Sequence, residues 1–223
     1  MTPEAGAPWL LAIDTATSVV VVAAGSPDGT LLAARSFAAE HRHGSHLLPT
    51  IEALTTEEGL ALDRLSGVIV GLGPGAFTGL RVGLATAKTL AHALEIPIVG
   101  ISTAEALLAA APGAAVLLLP AGPHDRVIVS AGEAPRLEAS DTAPEPPDAL
   151  AVDLDGRATP AALERGRLAV EALPATLLRL GAERLRAGTA DDVERLVPAY
   201  VSLPRGITTD AGDGGIAWSR DPR

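Results

Sequence analysis

The stretch VIVGLGPGAFTGLRVGLATAKTLAHALEIPIVGIS, from Val68 to Ser102, decides the fold. It opens with the apolar run VIVGLG, which is typical of a strand in the buried middle of a sheet. The run GPG at 73–75 predicts a turn, and from Ala76 or Phe77 onward the sequence follows the pattern of a long helix. The run IPIVGIS then predicts a further strand, so the stretch indicates an α/β architecture.

Three β-rich runs lie upstream and predict three consecutive antiparallel strands. They are WLLAID from Trp9, SVVVVAAG and LLAARSF, and the last two are joined by SPDGT, whose Asp-Gly pair is a strong hairpin signal. The next segment, HRHGSHLLPTIEALTTEEGL, has its leucines and isoleucine at helical spacing. We expect Ser45 to cap this helix, Pro49 to lie in its first turn and Gly59 to end it.

The order β-β-β-α-β-α-β is complete at about residue 103, where Ser102 or Thr103 can cap the helix AEALLAAA. We therefore predict a first lobe over residues 1–103. The second half repeats the start more weakly, since AAVLLLP, RVIVSAG and PRLEAS are again three strand candidates. LAVDLDG and RLAVEA suggest short strands or turns, and an amphipathic helix is predicted from about Ala175. This gives a diverged second lobe over 104–203 and a flexible tail over 204–223.

Composition excludes several classes of protein. Of the 223 residues 48% are hydrophobic but only 2% aromatic, so Ala, Val, Leu and Ile must build the core. A net charge of -10 argues against independent binding of nucleic acid, and any such role needs a basic partner. The absence of cysteine excludes disulfides, thiolate metal sites and a cysteine nucleophile. We expect a cytoplasmic protein with no targeting segment and no membrane helix.

The hairpin AIDTATSVVV holds the first candidate site. Asp14 followed by Thr15 and Thr17 at a tight turn can hold a hydrated cation and the phosphates of a nucleotide. The alternative, which we favour, is that these side chains only satisfy the amides of the turn. A nucleotide clamp needs a second acidic loop, but the matching position in the second half is Pro120, Ala121 and Gly122, with no carboxylate before Asp125. This half of a clamp predicts weak or absent ATP hydrolysis.

Two further patterns have competing interpretations. His41, His43 and His46 could begin a zinc site, but Gly44 interrupts them and no HExxH motif follows, which favours a polar helix start on the surface.

The second pattern is a strip of small residues at every fourth position of the long helix: Gly79, Gly83, Ala87 and Ala91. Because glycine costs about 1 kcal/mol in a helix, another backbone is expected close to this strip. The pattern leaves open whether that neighbour is the protein's own first helix or a helix of another subunit.

The runs LAIDTATSVVVVAA, HGSHLLPTI, VIVGLGPGAFTGLRVGLATAKTLAHALEIPIVGISTAEAL and RLVPAYV resemble the bacterial TsaB family, also called YeaZ. The resemblance is nearly continuous over residues 9–108 and scattered beyond. It implies a two-lobed, actin-like (ASKHA, ribonuclease H-like) α/β fold with mixed sheets, helices packed on them and a reduced second lobe. TsaD-like chains carry a metal-binding His-x-x-x-His, and the different histidine spacing here favours TsaB.

The resemblance also implies a role. TsaB-like proteins are noncatalytic scaffold subunits that pair with TsaD, which transfers a threonylcarbamoyl group onto adenosine 37 of tRNA. TsaE is a further member of the complex, and tRNA is reached only through that complex. No cofactor is expected on this subunit, since ATP and metal belong to TsaD.

Pairing, with TsaD or with a second copy, is implied through the helices at 46–58 and 77–94. The interface candidates are Leu47, Thr50, Ile51, Leu54, Gly79, Gly83 and Ala87. We expect Gly83→Leu to block association and leave the monomer folded. The family's Asp-Ala-Arg turn is replaced by Pro120, Ala121 and Gly122, so the second lobe departs from the pattern. The alternatives are a free-standing actin-type ATPase, a zinc peptidase, or a homodimer with a diverged role.

Overall fold

A computed structural model describes residues 6–39, 43–122, 124–133, 135–139, 144–200, 207–209 and 216–218. Its first part has the predicted order of strands and helices. The elements are β1 (Trp9–Asp14), β2 (Val19–Gly25), β3 (Leu31–Ala38), α1 (His43–Glu57), a 3-10 turn (Leu62–Arg64), β4 (Leu65–Gly71), α2 (Phe77–Ala93), β5 (Ile98–Ile101) and α3 (Thr103–Ala110). The second part contains β6 (Val116–Pro120), β7 (Asp125–Ser130), β8 (Arg136–Ala139), β9 (Ala149–Ala151), α4 (Pro160–Arg186), β10 (Ile207–Thr209) and β11 (Ile216–Trp218).

The first sheet has five strands in the order β3-β2-β1-β4-β5. β1, β2 and β3 are antiparallel as predicted, whereas β4 and β5 run parallel to β1, so the sheet is mixed. The strands at its centre are apolar on both faces, and β1 is buried along its whole length. The edge strand β3 is mostly exposed or half-buried, which fits its more polar sequence.

The second sheet is smaller and repeats this arrangement in the order β8-β7-β6-β9. β6, β7 and β8 are antiparallel and β9 runs parallel to β6, as β4 does to β1. The three strand candidates of the second half are thereby confirmed, and the shared order supports the predicted internal copy. The division into lobes at residue 103 stays a prediction, since one apolar cluster contains residues of both sheets.

The longest helix, α4, differs from the sequence expectation. RLAVEA is not a strand or turn, and the helix does not begin near Ala175, because a single helix runs over Pro160–Arg186. Thr159 caps it by accepting a hydrogen bond from the Ala162 amide at 3.3 Å. Pro174, the residue before the predicted start at Ala175, lies buried inside the helix. Burial of a continuous face outweighs the cost of the proline.

That face of α4 consists of small and apolar residues at helical spacing: Ala162, Gly166, Ala169, Leu173, Leu177 and Ala182. It packs on β9, on α3 and on all five strands of the first sheet. A Cβ at Gly166 would overlap the carbonyl of Ala151, so the helix lies directly against β9. α4 therefore joins the two sheets.

The first helix begins earlier than expected. α1 starts at His43, so Pro49 lies inside the helix and not in its first turn. Pro49 is exposed, and there its missing amide removes one helical hydrogen bond on the solvent side. Gly59 follows the helix with a φ of 64°, as expected for a glycine that ends a helix.

Apolar side chains cover both faces of the first sheet. Leu11 and Ile13 of β1 point to the side of α1 and α2, whereas Leu10 and Ala12 point to the side of α3 and α4. In the described part of the chain, no helix combines the length and apolarity needed to cross a bilayer. Within the predicted tail, β10 and β11 pair antiparallel. The rest of that tail lies outside the described residues, and its flexibility stays a prediction.

Candidate functional site

The predicted phosphate turn, residues 14–18, lies between the ends of three elements. Asp14 ends β1 and is 0% exposed. Its Oδ1 accepts a hydrogen bond from the Ala16 amide at 2.8 Å, and its Oδ2 accepts one from Thr103 Oγ1 at 2.6 Å. Thr103 Oγ1 in turn accepts from the Gly73 amide at 3.0 Å. Asp14 therefore connects β1 with the GPG turn and the start of α3.

Burial changes the chemistry of this carboxyl. Desolvation raises the pKa of Asp14 to about 6, against the two hydrogen bonds, which lower it. Gly71 lies next to the carboxyl, and a Cβ there would overlap it. Both oxygens already accept hydrogen bonds and the group is enclosed, so the geometry favours a structural role over a cation ligand. The phosphate-binding prediction itself is untested.

The two threonines of the turn are also occupied within the chain. Thr15 Oγ1 donates to the carbonyl of Gly79 at 2.7 Å, and Thr17 Oγ1 donates to the carbonyl of Val19 at 3.0 Å. Both residues are buried. The turn is also tied to the start of α2, because the Ala76 amide donates to the carbonyl of Ala16 at 2.7 Å. These contacts correspond to the interpretation that the side chains serve the turn.

The neighbour of the small-residue strip is this turn. All four residues of the strip on α2 are buried, and a Cβ at Gly83 would overlap Thr15 Oγ1. α2 packs mainly on β4, with further contacts to α1 and β1. Gly83 thus makes room for a loop of the same chain. Our expectation that Gly83→Leu leaves the monomer folded is therefore wrong, because the larger side chain has no space.

Most of the interface candidates face the interior. Leu47, Ile51 and Leu54 pack in the core beneath α1, and Thr50 is half-buried with its Oγ1 donating to the carbonyl of His46 at 2.8 Å. Gly79, Gly83 and Ala87 are buried on α2. The solvent side of the two helices consists of other residues. Among them is Leu48, which is 56% exposed.

The predicted histidine cluster is only partly described. His41 lies outside the described residues, and His43 is the first residue of α1. His46 is exposed, and its ring lies 5.9 Å from the ring of Phe37. Within the described ranges, no three residues among His, Cys, Asp and Glu are grouped so that they could hold a metal ion.

Pro120, Ala121 and Gly122 of the matching turn in the second lobe carry no carboxylate or hydroxyl group. The Ala121 amide donates to the carbonyl of Asp125 at 2.9 Å, which closes the turn between β6 and β7. Arg157 Nη1 donates to the carbonyl of Gly122 at 2.8 Å. A backbone hydrogen bond and the Arg157 side chain therefore hold this turn.

A cleft of about 620 Å³ lies between the β2–β3 edge of the first sheet, β9 and the first half of α4. At one end, Asp153 accepts hydrogen bonds from the Ser18 amide at 2.7 Å and from the Ser18 hydroxyl. The walls are apolar, and the charged lining residues are Asp153, Asp155, Glu164, Arg167 and Glu171. Arg167 is paired with both glutamates. Carboxylates outnumber the cation, so this lining disfavours a polyphosphate.

Comparison with known proteins identifies the family. The family model described as TsaD, tRNA N6-adenosine threonylcarbamoyltransferase, matches residues 37–180, which is more than half of the chain. The TsaB protein of Escherichia coli is 38% identical over 94 residues, 42% of this chain and 40% of that protein. The TsaB protein of Bacillus subtilis is 36% identical over 100 residues, 45% of this chain and 43% of that protein. A protein of Mycobacterium leprae is 39% identical over 119 residues, 52% of this chain and 33% of that protein.

These alignments span less than half of the length of each of these relatives. A solved structure, YeaZ from Pseudomonas aeruginosa, matches more widely, with a TM-score of 0.67 and 25% identity over 87% of this chain and 100% of that chain. The predicted α/β, actin-like fold with mixed sheets is confirmed. The chain belongs to the TsaD family, and within that family it is of the TsaB (YeaZ) type.

Proposed function

We propose that this chain is a noncatalytic subunit of tRNA threonylcarbamoyladenosine biosynthesis that pairs with TsaD and positions it for threonylcarbamoyl transfer onto adenosine 37. The likeness to proteins named TsaB supports the pathway. The observation that carries the noncatalytic role is the enclosed turn at residues 14–18. Its carboxylate and hydroxyl groups are engaged by Ala16, Thr103, Gly79 and Val19.

A catalytic ATPase would need these groups for its ligand. Because Asp14 has a raised pKa and two hydrogen bonds, moving its carboxylate onto a cation would break contacts with both the turn and α3. The cleft beside Ser18 has an excess of carboxylates. Both features support our proposal that ATP and metal are bound by TsaD and not by this subunit.

The pairing surface is the solvent side of α1 and α2. We define it by the exposed residues Leu48, Glu52, Thr78, Arg81, Ala85 and Thr89. Thr78, Ala85 and Thr89 lie on one side of α2 and have short side chains, so the backbone of a partner helix can approach closely. Leu48 supplies apolar area on α1. This surface replaces the buried candidates as the proposed contact with TsaD.

The net charge of the chain and its family suggest how tRNA and TsaE take part. With a net charge of -10 the chain itself repels tRNA, so we propose that tRNA is reached through the complex, with TsaE as a further member. The pairing surface can also join two copies of this chain when TsaD is absent. The proposed location is the cytoplasm, where tRNA is modified.

Copurification with TsaD from the same organism tests the proposal. We expect the unaltered chain to bind TsaD and to raise threonylcarbamoyl transfer to tRNA in a reaction that also contains TsaE. Ala85→Arg should abolish both effects, because the new side chain fills the approach path on α2. Ala175→Arg is the matched control, since Ala175 is also exposed but lies on α4, on the other side of the sheet.

Two outcomes would contradict the proposal. One is that the unaltered chain fails to recover TsaD. The other is that the chain alone binds Mg-ATP or zinc tightly in a calorimetric titration, which would favour the ATPase or the peptidase alternative.

A further inference from the structure

We propose that a cluster formed by Phe77, Arg81 and Tyr200 extends the pairing surface and receives a carboxylate side chain flanked by apolar groups on the protein partner. This inference rests on the proposed function, in which the partner is TsaD. It adds a specific contact point and its chemistry, and it gives a role to the RLVPAYV motif.

The cluster concentrates a scarce residue type at the surface. The chain has two Trp, one Tyr and two Phe, and two of these five aromatic residues meet here. The rings of Phe77 and Tyr200 lie 5.0 Å apart between centroids, and both residues are half-buried. The guanidinium carbon of Arg81 lies 5.3 Å from the centre of the Phe77 ring. Tyrosine and arginine are the residue types most enriched at the energetic centres of protein interfaces.

The Tyr200 ring is held in place by the segment before it, which we name the strap, residues 191–200. Its first residue pairs with the sheet edge, since the Asp191 amide donates to the carbonyl of Ile98 at 2.8 Å. Near its end, the Ala199 amide donates to the carbonyl of Leu72 at 2.8 Å. The strap therefore crosses from β5 to the start of α2 and places Tyr200 beside Phe77.

Lys88 fixes the middle of the strap to α2. Its Nζ donates to the carbonyls of Glu194 and Leu196 at 3.2 and 3.1 Å. Leu196 is buried against the core of the first lobe. An aromatic pair that is ordered before binding loses little conformational entropy when a partner docks. The strap thus makes the cluster a preorganised contact point.

The charge of the cluster indicates the partner's chemistry. The chain carries a net charge of -10, yet Arg81 is exposed and forms no salt bridge with any described residue. A planar guanidinium with free donors pairs best with a carboxylate, and the neighbouring rings offer apolar surface to the side chains around it. Arg81 already belongs to the pairing surface, one helical turn from Ala85, so Phe77 and Tyr200 extend that surface.

Binding of TsaD from the same organism, measured by isothermal titration calorimetry at low and moderate salt, tests this contact. Arg81→Gln is expected to raise the Kd about tenfold and Arg81→Glu about a hundredfold, with Arg81→Lys between the unaltered chain and Arg81→Gln. The loss should shrink as salt increases. Arg64→Glu is the charge-matched control, because Arg64 is an exposed arginine in the 3-10 turn, and it should change the Kd less than twofold.

Tyr200→Ala should weaken binding by a similar factor as Arg81→Gln, whereas Tyr200→Phe should bind as the unaltered chain does. Hydrogen exchange of the strap amides shows whether Tyr200→Ala acts by removing the ring or by releasing the strap; in the second case the inference is judged on the Arg81 series alone.

If the unaltered chain binds TsaD and Arg81→Glu binds equally well, this inference is overturned while the proposed function stands. If the unaltered chain does not bind TsaD, both are overturned. Binding of unmodified tRNA to the chain alone that is lost in Arg81→Gln would show that the cluster contacts nucleic acid, which also overturns the inference.

Discussion

Asp14→Asn tests the buried carboxyl at the end of β1. Burial raises its pKa from 3.8 to about 6, so the folded chain binds a proton that the unfolded chain has already released. The stability contributed by the protonated group is complete below pH 3.8 and is lost as the pH rises from about 4 to about 6. Above that range the cost of the buried charge is constant. It amounts to about 3 kcal/mol, from the difference between the two pKa values.

The amide of Asp14→Asn cannot ionise, and its oxygen can still accept from the Ala16 amide. Its NH₂ group would face Thr103 Oγ1 in place of the Oδ2 atom that accepts from this hydroxyl. The Thr103 hydroxyl then has no acceptor there, at a cost of about 1 kcal/mol. We therefore expect the substitution to raise the free energy of unfolding by about 2 kcal/mol at pH 7.5, from the two terms above. At pH 4 the substitution should not raise the free energy of unfolding.

Urea unfolding followed by far-UV circular dichroism, between pH 4 and pH 8, measures this difference. Asp28→Asn is the control, because Asp28 lies in the exposed β2–β3 turn and hydrogen bonds, first of all from Ser26, lower its pKa to about 2. The stability that Asp28 contributes is present above pH 3.8 and lost as the pH falls toward 2. Its substitution should give a constant difference from pH 5 to pH 8. A difference for Asp14→Asn that is equally constant, or that becomes a loss above pH 6, would refute the reasoning.

Three further substitutions and one control have expected outcomes. Gly83→Ala should lower the free energy of unfolding by about 2 kcal/mol or more, because its Cβ overlaps Thr15 Oγ1, whereas Gly44→Ala, with open space around the Cβ, should not destabilise. Ser102→Ala should cost about 1 kcal/mol, since Ser102 caps α3. Leu177→Ala in α4 should cost about 2 to 5 kcal/mol by opening a cavity between the sheets. Urea unfolding at pH 7.5 checks all four, and a loss for Gly44→Ala as large as for Gly83→Ala would contradict the packing argument.

Local signals were sufficient for most of the first lobe, although not for the start of α1. The hairpin SPDGT, the apolar run of β4, the start of α2 at Phe77 and the cap at Ser102 are all as predicted. Each depends on a few neighbouring residues, so the backbone preference survives in any tertiary context.

The second half of α4 agrees with the helix predicted from about Ala175, but its first half was missed for the opposite reason. Pro174 is a start signal by local rules, but here it lies buried within a helix that contacts both sheets. The energy of that burial comes from residues distant in the sequence, and local preference cannot represent it.

The candidate site also combines a feature that local sequence predicts with contacts that it does not predict. The spacing of Gly79, Gly83, Ala87 and Ala91 correctly indicated a closely packed helix face. It could not indicate the neighbour, because periodicity identifies a buried face without identifying what covers it. Leu47, Ile51 and Leu54, which the resemblance implies as interface candidates on α1, pack on the chain's own sheet, and only the tertiary structure shows this.

The sequence by itself determined the order of strands and helices in the first lobe, the α/β class and the small-residue face of α2, since these depend on periodicity and turn chemistry within short segments. Only the tertiary structure decided that Thr15 fills the space at Gly83, that Asp14 connects to Thr103, and that the strap brings Tyr200 to Phe77. The physical reason is the sheet order, which places β1 between β2 and β4 and gathers loops that are far apart along the chain. These long-range contacts determine which surface of α1 and α2 remains available to a partner.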